Sequence, residues 1–247
     1  SPHTDDHGAS NSSTLPITVP GTNDAPVATA DVAAVDEDAS TSGSVATNDD
    51  DVDNGAILTY ALVDPAPTGL TFNPDGSWSF DASSYDSLAE DEQLVLEVPY
   101  RITDEHGASD NSTLTITVTG TNDAPVAVAD VAAVDEDAST SGSVATNDDD
   151  VDNGAVLTYA LIDPAPAGLT FNLDGSWSFD ASSYDSLAED EQLVLIIPYA
   201  VTDEHGASDS STLTITITGT NDAPVAVADV ASVDEDASTS GTVATNG

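Results

Sequence analysis

Between residues 27 and 119, short runs of apolar side chains at every second position are separated by turn residues. A period of two puts alternate side chains on opposite faces of a strand and buries one of them. The pattern predicts strands at 27–35, 44–47, 57–63, 70–73, 77–81, 94–103 and 112–119. Asn73-Pro74-Asp75-Gly76 supplies one hairpin turn and Asp104-Glu105-His106-Gly107 another. Pro99 lacks an N–H, so the sixth run must be an edge strand or carry a bulge. One helical turn is predicted at 86–92. Seven strands with such turns give an all-β fold, an immunoglobulin-like seven-stranded β-sandwich.

The pattern then repeats. Asn23-Asp24-Ala25-Pro26 returns as Asn122-Asp123-Ala124-Pro125 and as Asn221-Asp222-Ala223-Pro224, a spacing of 99 each time (122−23, 221−122). Laying 25–123 over 124–222 leaves 11 differences, so 88 of 99 positions agree (99−11). Faithful copies in unbroken register are units of an array. The expected organisation is the end of a preceding repeat at 1–24, full repeats at 25–123 and 124–222, and the start of a following repeat at 223–247. The link between repeats, 119–125, has no flexible Gly/Ser-rich spacer, and Pro125 stiffens its exit.

Charge sharpens the picture. One basic residue faces 46 acidic ones, a formal net charge of −45. Such a chain cannot displace counterions from nucleic acid, and an anionic membrane repels it, so neither nucleic-acid binding nor direct membrane insertion is expected. Self-repulsion on this scale opposes a compact state unless salt or bound cations neutralise it. Disorder does not follow, because 39% of residues are hydrophobic and alternate in a core-forming pattern. There is no cysteine, which removes disulfides and thiolate metal sites.

The carboxylates cluster at turns and strand ends: Asp36-Glu37-Asp38, Asp49-Asp50-Asp51-Val52-Asp53-Asn54, Glu90-Asp91-Glu92, Asp104-Glu105 and Asn122-Asp123. Hard oxygen donors on irregular loops, without His or Cys, suit Ca²⁺. An EF-hand is excluded, because Asn54 and Tyr60 stand where its Gly and bidentate Glu would be. A calcium site here draws on separate loops. The competing reading is a solvated acidic surface.

These motifs, in this order, resemble a cadherin-type domain over nearly the whole repeat. Val35-Asp36-Glu37-Asp38-Ala39 is similar to the motif bearing a ligand Glu, and Asn48-Asp49-Asp50-Asp51 to the DxD motif. Leu88-Ala89-Glu90-Asp91-Glu92 lies at the place of the Leu-Asp-Arg-Glu motif, Ile102-Thr103-Asp104 at that of Ala-x-Asp, and 119–125 at that of the linker. The segment from Tyr100 to Pro125 also resembles the VCBS repeat of large bacterial surface adhesins. The resemblance implies calcium bridging neighbouring repeats. Its implied ligands are Asn23, Asp24, Glu37, Asp49, Asp51, Glu90, Glu92, Asp104, Asn122 and Asp123, and in the next copy Glu136, Asp148, Asp150, Glu189, Glu191, Asp203, Asn221 and Asp222. Gly120 departs from the acidic start of a cadherin linker, which implies fewer ions per junction.

Other chemistry has little support. His7, His106 and His205 occupy the same turn in successive copies, and a single imidazole without a second donor builds no transition-metal site. Glu90 and Glu92 recur in a near-identical array with no pocket-forming insertion, which argues against a glycosidase pair. No Ser has a base in a catalytic pattern, so the chain is not expected to be an enzyme. Three functions remain open: a calcium-stiffened extender of a secreted bacterial adhesin or biofilm matrix protein, a segment of a self-assembling extracellular filament, and a carbohydrate- or protein-binding sandwich. The expected partners are neighbouring repeats of the same chain and other copies in a fibre or matrix, at a bacterial surface.

Overall fold

A computed structural model describes residues 3–243. The chain divides into two compact units, Ser1–Thr121 and Asn122–Gly247. A short hairpin, β1 (His3–Thr4) and β2 (Ser10–Asn11), precedes seven strands: β3 (Asp31–Asp36), β4 (Ser40–Ser44), β5 (Thr59–Leu62), β6 (Leu70–Phe72), β7 (Ser77–Asp81), β8 (Gln93–Thr103) and β9 (Ser109–Thr119). The second unit repeats them as β10 (Asp130–Asp135), β11 (Ser139–Ser143), β12 (Thr158–Leu161), β13 (Leu169–Phe171), β14 (Ser176–Asp180), β15 (Gln192–Thr202) and β16 (Ser208–Thr218).

Each unit is a sandwich of a four-stranded and a three-stranded sheet. In the first unit the strand orders are β3-β9-β8-β5 and β4-β7-β6. β3 runs parallel to β9, with Asp31 opposite Leu114, and the other pairs are antiparallel. Along β8 and β9 the inward positions Val98, Tyr100, Ile102, Leu114, Ile116 and Val118 are almost wholly buried, as alternation requires. Trp78 and Phe80 close the core from the smaller sheet. The Trp78 indole packs against Gly43, where a Cβ would stand 2.8 Å from the ring, so glycine lets β4 pass over it.

Four expectations need correction. The predicted strand at 44–47 lies one element too late: β4 ends at Ser44, and Val45–Thr47 form a 3-10 turn, with Ser44 Oγ accepting the Ala46 N–H at 3.3 Å. Within 27–35 the ladder begins only at Asp31, and Val27 makes one isolated bridge to Asp50. The helical turn predicted at 86–92 is irregular, because Asp91 takes a left-handed φ of 63°, and the regular turn falls earlier, at Ser83–Tyr85. Pro99 is in an interior strand, between β9 and β5. Its carbonyl accepts the Val63 N–H at 3.0 Å, one residue beyond the end of β5. The missing N–H therefore falls where the neighbouring strand stops, and no interior ladder bond is lost.

The flanking stretches 1–24 and 223–247 reach into residues 1–2 and 244–247, which lie outside the described residues. Of the described part, Leu15, Ile17 and Val19 are about four-fifths exposed, and Val230 is 95% exposed. Leu15, Ile17 and Val19 match Leu114, Ile116 and Val118, which are wholly buried in the full repeat, whereas Val230 matches Val131, an exposed position there as well.

Candidate metal centre

The turn joining β8 to β9 is built on Asp104. Its Oδ1 accepts the N–H groups of His106 and Ala108, both at 2.9 Å. This Asx-type bonding leaves Oδ2 directed at the incoming chain, where the Asn23 amide donates to it at 2.8 Å. The Asp24 N–H donates to Asp53 Oδ2 (2.8 Å), and the Asp53 N–H donates to Asp51 Oδ1 (2.8 Å). Glu105 Oε2 accepts the Ile57 N–H at 2.8 Å, which closes the group. His106 itself is a turn residue, exposed beside Glu105.

The second unit repeats this pole. Asn122 donates to Asp203 Oδ2 (3.0 Å), Asp123 N–H to Asp152 Oδ2 (3.0 Å), and Asp152 N–H to Asp150 Oδ1 (3.0 Å). Asp203 Oδ1 accepts from His205, Gly206 and Ala207. Burial raises the Asp150 carboxyl above its ordinary range, and the neighbouring charges of Asp152, Asp203 and Glu204 add to the effect. At Asp203, burial works in the same direction, but hydrogen bonds from Asn122 and three backbone N–H groups outweigh it and hold the group below that range. Asp104 is likewise lowered, by the Asn23 amide and the turn N–H groups against some desolvation.

The decisive feature is what these carboxylates lack. Asp51 Oδ2, Asp150 Oδ2 and Asp152 Oδ1 are buried without a hydrogen-bond partner. A buried carboxylate oxygen with no donor is costly, and one in the first unit's pole with two in the second's call for a cation. The donor set of Asp150, Asp152 and Asp203, with the side-chain oxygen of Asn122, consists of hard oxygen alone, and its irregular loops suit Ca²⁺ better than an octahedral ion. The residues fit calcium.

At the other end of each sandwich, Glu37 and Glu136 are fully buried. Glu37 Oε1 accepts the N–H (2.7 Å) and hydroxyl (3.3 Å) of Thr121, and Oε2 accepts the Leu88 N–H at 3.1 Å. Glu136 does the same with Thr220 and Leu187. Glu92 and Glu191 are exposed and accept the N–H groups of Ala89 and Ala188, while Glu90 and Glu189 are exposed on the same turns. Asn221 and Asp222 follow Thr220. Asp222 is exposed, and its carboxyl is raised by slight desolvation together with the charges of Glu136, Asp137 and Asp185, so these four acids share the pole. Gly120 has a steric cause: a Cβ there would stand 2.1 Å from the Ala89 carbonyl oxygen, which leaves no room for an acidic residue.

Asp49 and Asp148 stand apart from both poles. Asp49 Oδ1 accepts the Thr29 N–H (2.6 Å), and its carboxylate lies 3.3–3.4 Å from the Tyr100 hydroxyl, near Asp31. Asp148 repeats this with Val128, Tyr199 and Asp130. The entry pole uses Asp53 and Asp152 instead, which the motif reading passed over. Their signal is the i, i+2 pair Asp51-x-Asp53, in which the second N–H bonds the first side chain.

These shifts set a pH dependence for the metal-free chain. Burial raises Asp31, Asp49, Asp130, Asp148 and Asp150, so folding opposes their ionisation, and their protonation stabilises the fold as pH falls toward about 4. Asp104 and Asp203 are lowered, so their contribution is complete above about 4 and is lost as pH falls below it. In chelator, the melting temperature should rise on acidification from neutrality and then collapse. A monotonic fall measured by circular dichroism would contradict these environments.

Comparisons with known proteins bear on the fold and the family. The calcium-binding lectin RapA2 of Rhizobium johnstonii is 28% identical over 229 residues, covering 78% of this chain and 96% of the lectin. Among solved structures, human mucin-like protocadherin EC1-2 superposes with a TM-score of 0.51 at 15% identity, covering 79% of this chain and 98% of that one. Mouse cadherin-23 EC22-24 gives 0.50 at 18% identity; 80% of this chain is covered but only 65% of the mouse chain, so the match spans just under two thirds of that relative. At such identities the likeness shows the fold. The model of the bacterial cadherin-like domain matches residues 23–120 and again 122–219. With two tandem copies over most of its length, the chain belongs to the bacterial cadherin-like domain family, a family of non-enzymatic structural domains.

Proposed function

We propose that this chain is an extender segment of a secreted bacterial adhesin or biofilm matrix protein, stiffened by Ca²⁺ at the junctions between repeats. The observation that carries the reading is the set of buried, unpartnered oxygens of Asp51, Asp150 and Asp152 in poles of hard-oxygen donors. Chain connectivity supports placing the ion at a junction. Glu37 anchors Thr121, and the next two residues, Asn122 and Asp123, are anchored by Asp203 and Asp152. An ion that takes ligands from both ends of that short link resists bending, because bending pulls ligands away.

Small-angle scattering tests this. Asp123→Ala should make the calcium-loaded chain more flexible and leave each sandwich folded. Asp75→Ala, in a hairpin turn away from both poles, should not. If Asp123→Ala kept the wild-type flexibility, the bridging ion would be lost as an explanation, and the carboxylates would revert to a solvated surface.

The lectin relative favours a second reading, in which a sandwich holds carbohydrate with calcium. Among the described residues no Trp, Tyr or Phe is exposed, so sugar contact would rest on the ion and its carboxylates rather than on aromatic stacking. Glycan-array binding that vanishes in chelator would favour it over the extender. Mass photometry with calcium separates a single chain from a calcium-linked filament of copies.

A further inference from the structure

Both entry-pole acidic loops end in an asparagine–glycine pair, Asn54-Gly55 and Asn153-Gly154. All four residues are exposed. Each pair forms the centre of a tight turn closed by one bond, Ala56 N–H to Asp53 O (3.2 Å) and Ala155 N–H to Asp152 O (3.3 Å). The two glycines have φ of +87° and +80°, and nothing lies within 4 Å of where a Cβ would stand. Among the described residues, no acceptor takes the N–H of either glycine. The hairpin glycines differ: Gly76 donates to Asn73 O at 3.0 Å and Gly107 to Asp104 O at 3.3 Å.

We propose that Asn54 and Asn153 are self-modification sites that convert to aspartate and isoaspartate at a rate set by cation occupancy of the adjoining carboxylates. The coupling to the cation rests on the calcium reading above. The Gly55 nitrogen, after giving its proton to hydroxide, attacks Cγ of Asn54. The new N–Cγ bond forms as the Cγ–Nδ2 bond breaks, and the side-chain nitrogen leaves as ammonia with a proton from water. Water then opens the five-membered imide. Addition at Cγ leaves aspartate with the original main chain, and addition at the backbone carbonyl leaves isoaspartate, whose main chain is longer by one methylene. Neither step needs an oxidant or a second protein.

The attack requires the turn to open, because Asn54 must bring Cγ over the next nitrogen. Opening drags Asp53, and in the second copy Asp152, whose carboxylate accepts the Asp123 N–H and presents the unpartnered Oδ1. A cation on that carboxylate holds the turn shut. Once formed, isoaspartate displaces the neighbouring ligand, so a chain depleted of calcium loses part of its calcium response with age.

The test incubates the intact chain in warm, mildly alkaline buffer with excess calcium or excess chelator, and follows it by peptide mass mapping. Melting curves on the same samples report whether calcium is bound. The expected result is a gain of about 1 Da at Asn54 and at Asn153, accumulating several-fold faster in chelator. Asn73 should stay intact, because the following Pro74 has no N–H to attack with. Asn246-Gly247 lies outside the described residues and is mapped separately. Asn54→Gln with Asn153→Gln should abolish the two mass shifts and retain the melting response to calcium, since glutamine must close a less favourable six-membered ring. No conversion in chelator, or equal rates in both buffers while melting shows calcium bound, would overturn the inference and spare the calcium reading. A chain that melts identically in both buffers would remove that reading, and the coupling with it.

Discussion

Chelation of calcium at low ionic strength should lower the melting temperature of this chain by on the order of 10 °C. A ligand bound only by the native state contributes RT ln(1 + [L]/Kd), about 2.7 kcal/mol at one hundred times Kd, and each kcal/mol moves the midpoint of a domain this size by about 4–8 °C. The metal-free state also carries a specific penalty. Asp150 and Asp152 keep unpartnered buried oxygens, and the Asp150 carboxyl is already strained upward by burial and by its neighbours. With one basic residue against 46 acidic ones, nothing else in the chain can neutralise them. High salt should recover part of the loss by screening the exposed acids, but it cannot supply donors to buried oxygens. Differential scanning calorimetry in calcium, in chelator, and in chelator with high salt separates these contributions. Equal melting in the first two would end the metal hypothesis.

The architecture could be read from the sequence because its determinants are local. Period-two alternation in 94–103 and 112–119 marks the two long strands, and the turn motifs at Asn73–Gly76 and Asp104–Gly107 fix the hairpins. The misplaced β4 shows the limit of that reading. Ser40–Ser44 carries almost no apolar signal, since its inward positions are taken by Thr41 and by Gly43 beneath Trp78, whereas the apolar Val45 that attracted the assignment plugs the core from a 3-10 turn. Pro99 also misled, because where the neighbouring strand ends is set by tertiary pairing and not by proline. For the poles, sequence order brings out Asp104, Glu37 and Asn122-Asp123, each beside a recognisable turn. It does not say which members of Asp49-Asp50-Asp51-Val52-Asp53 share a pole. That depends on the isolated bridge between Val27 and Asp50, before which Asp49 turns inward to Tyr100 and after which the chain bends so that Asp51 and Asp53 converge.

This division of the acidic loop gives the sharpest substitution test. Asp152→Ala removes a carboxylate that is 9% exposed and has one bare oxygen, beside the raised Asp150. In chelator it should cost little, because the repulsion it relieves at Asp150 offsets the lost acceptor of the Asp123 N–H; in calcium it should lower the melting temperature clearly, because a ligand is gone. The calcium-dependent increment therefore shrinks, which loss of packing alone would not do. Asp148→Ala acts on different partners. It takes an acceptor from the Val128 N–H and from the Tyr199 hydroxyl, which keeps Val128 O at 2.9 Å. Such a loss costs about 1–2 kcal/mol, and it should be the same with and without calcium, leaving the calcium-dependent increment intact. Titration calorimetry gives an independent readout: Asp152→Ala should weaken calcium binding by an order of magnitude or more, and Asp148→Ala should leave it unchanged. If Asp148→Ala abolished the calcium increment while Asp152→Ala spared it, the ion would belong with Asp148 and Tyr199, and the poles described here would not be its site.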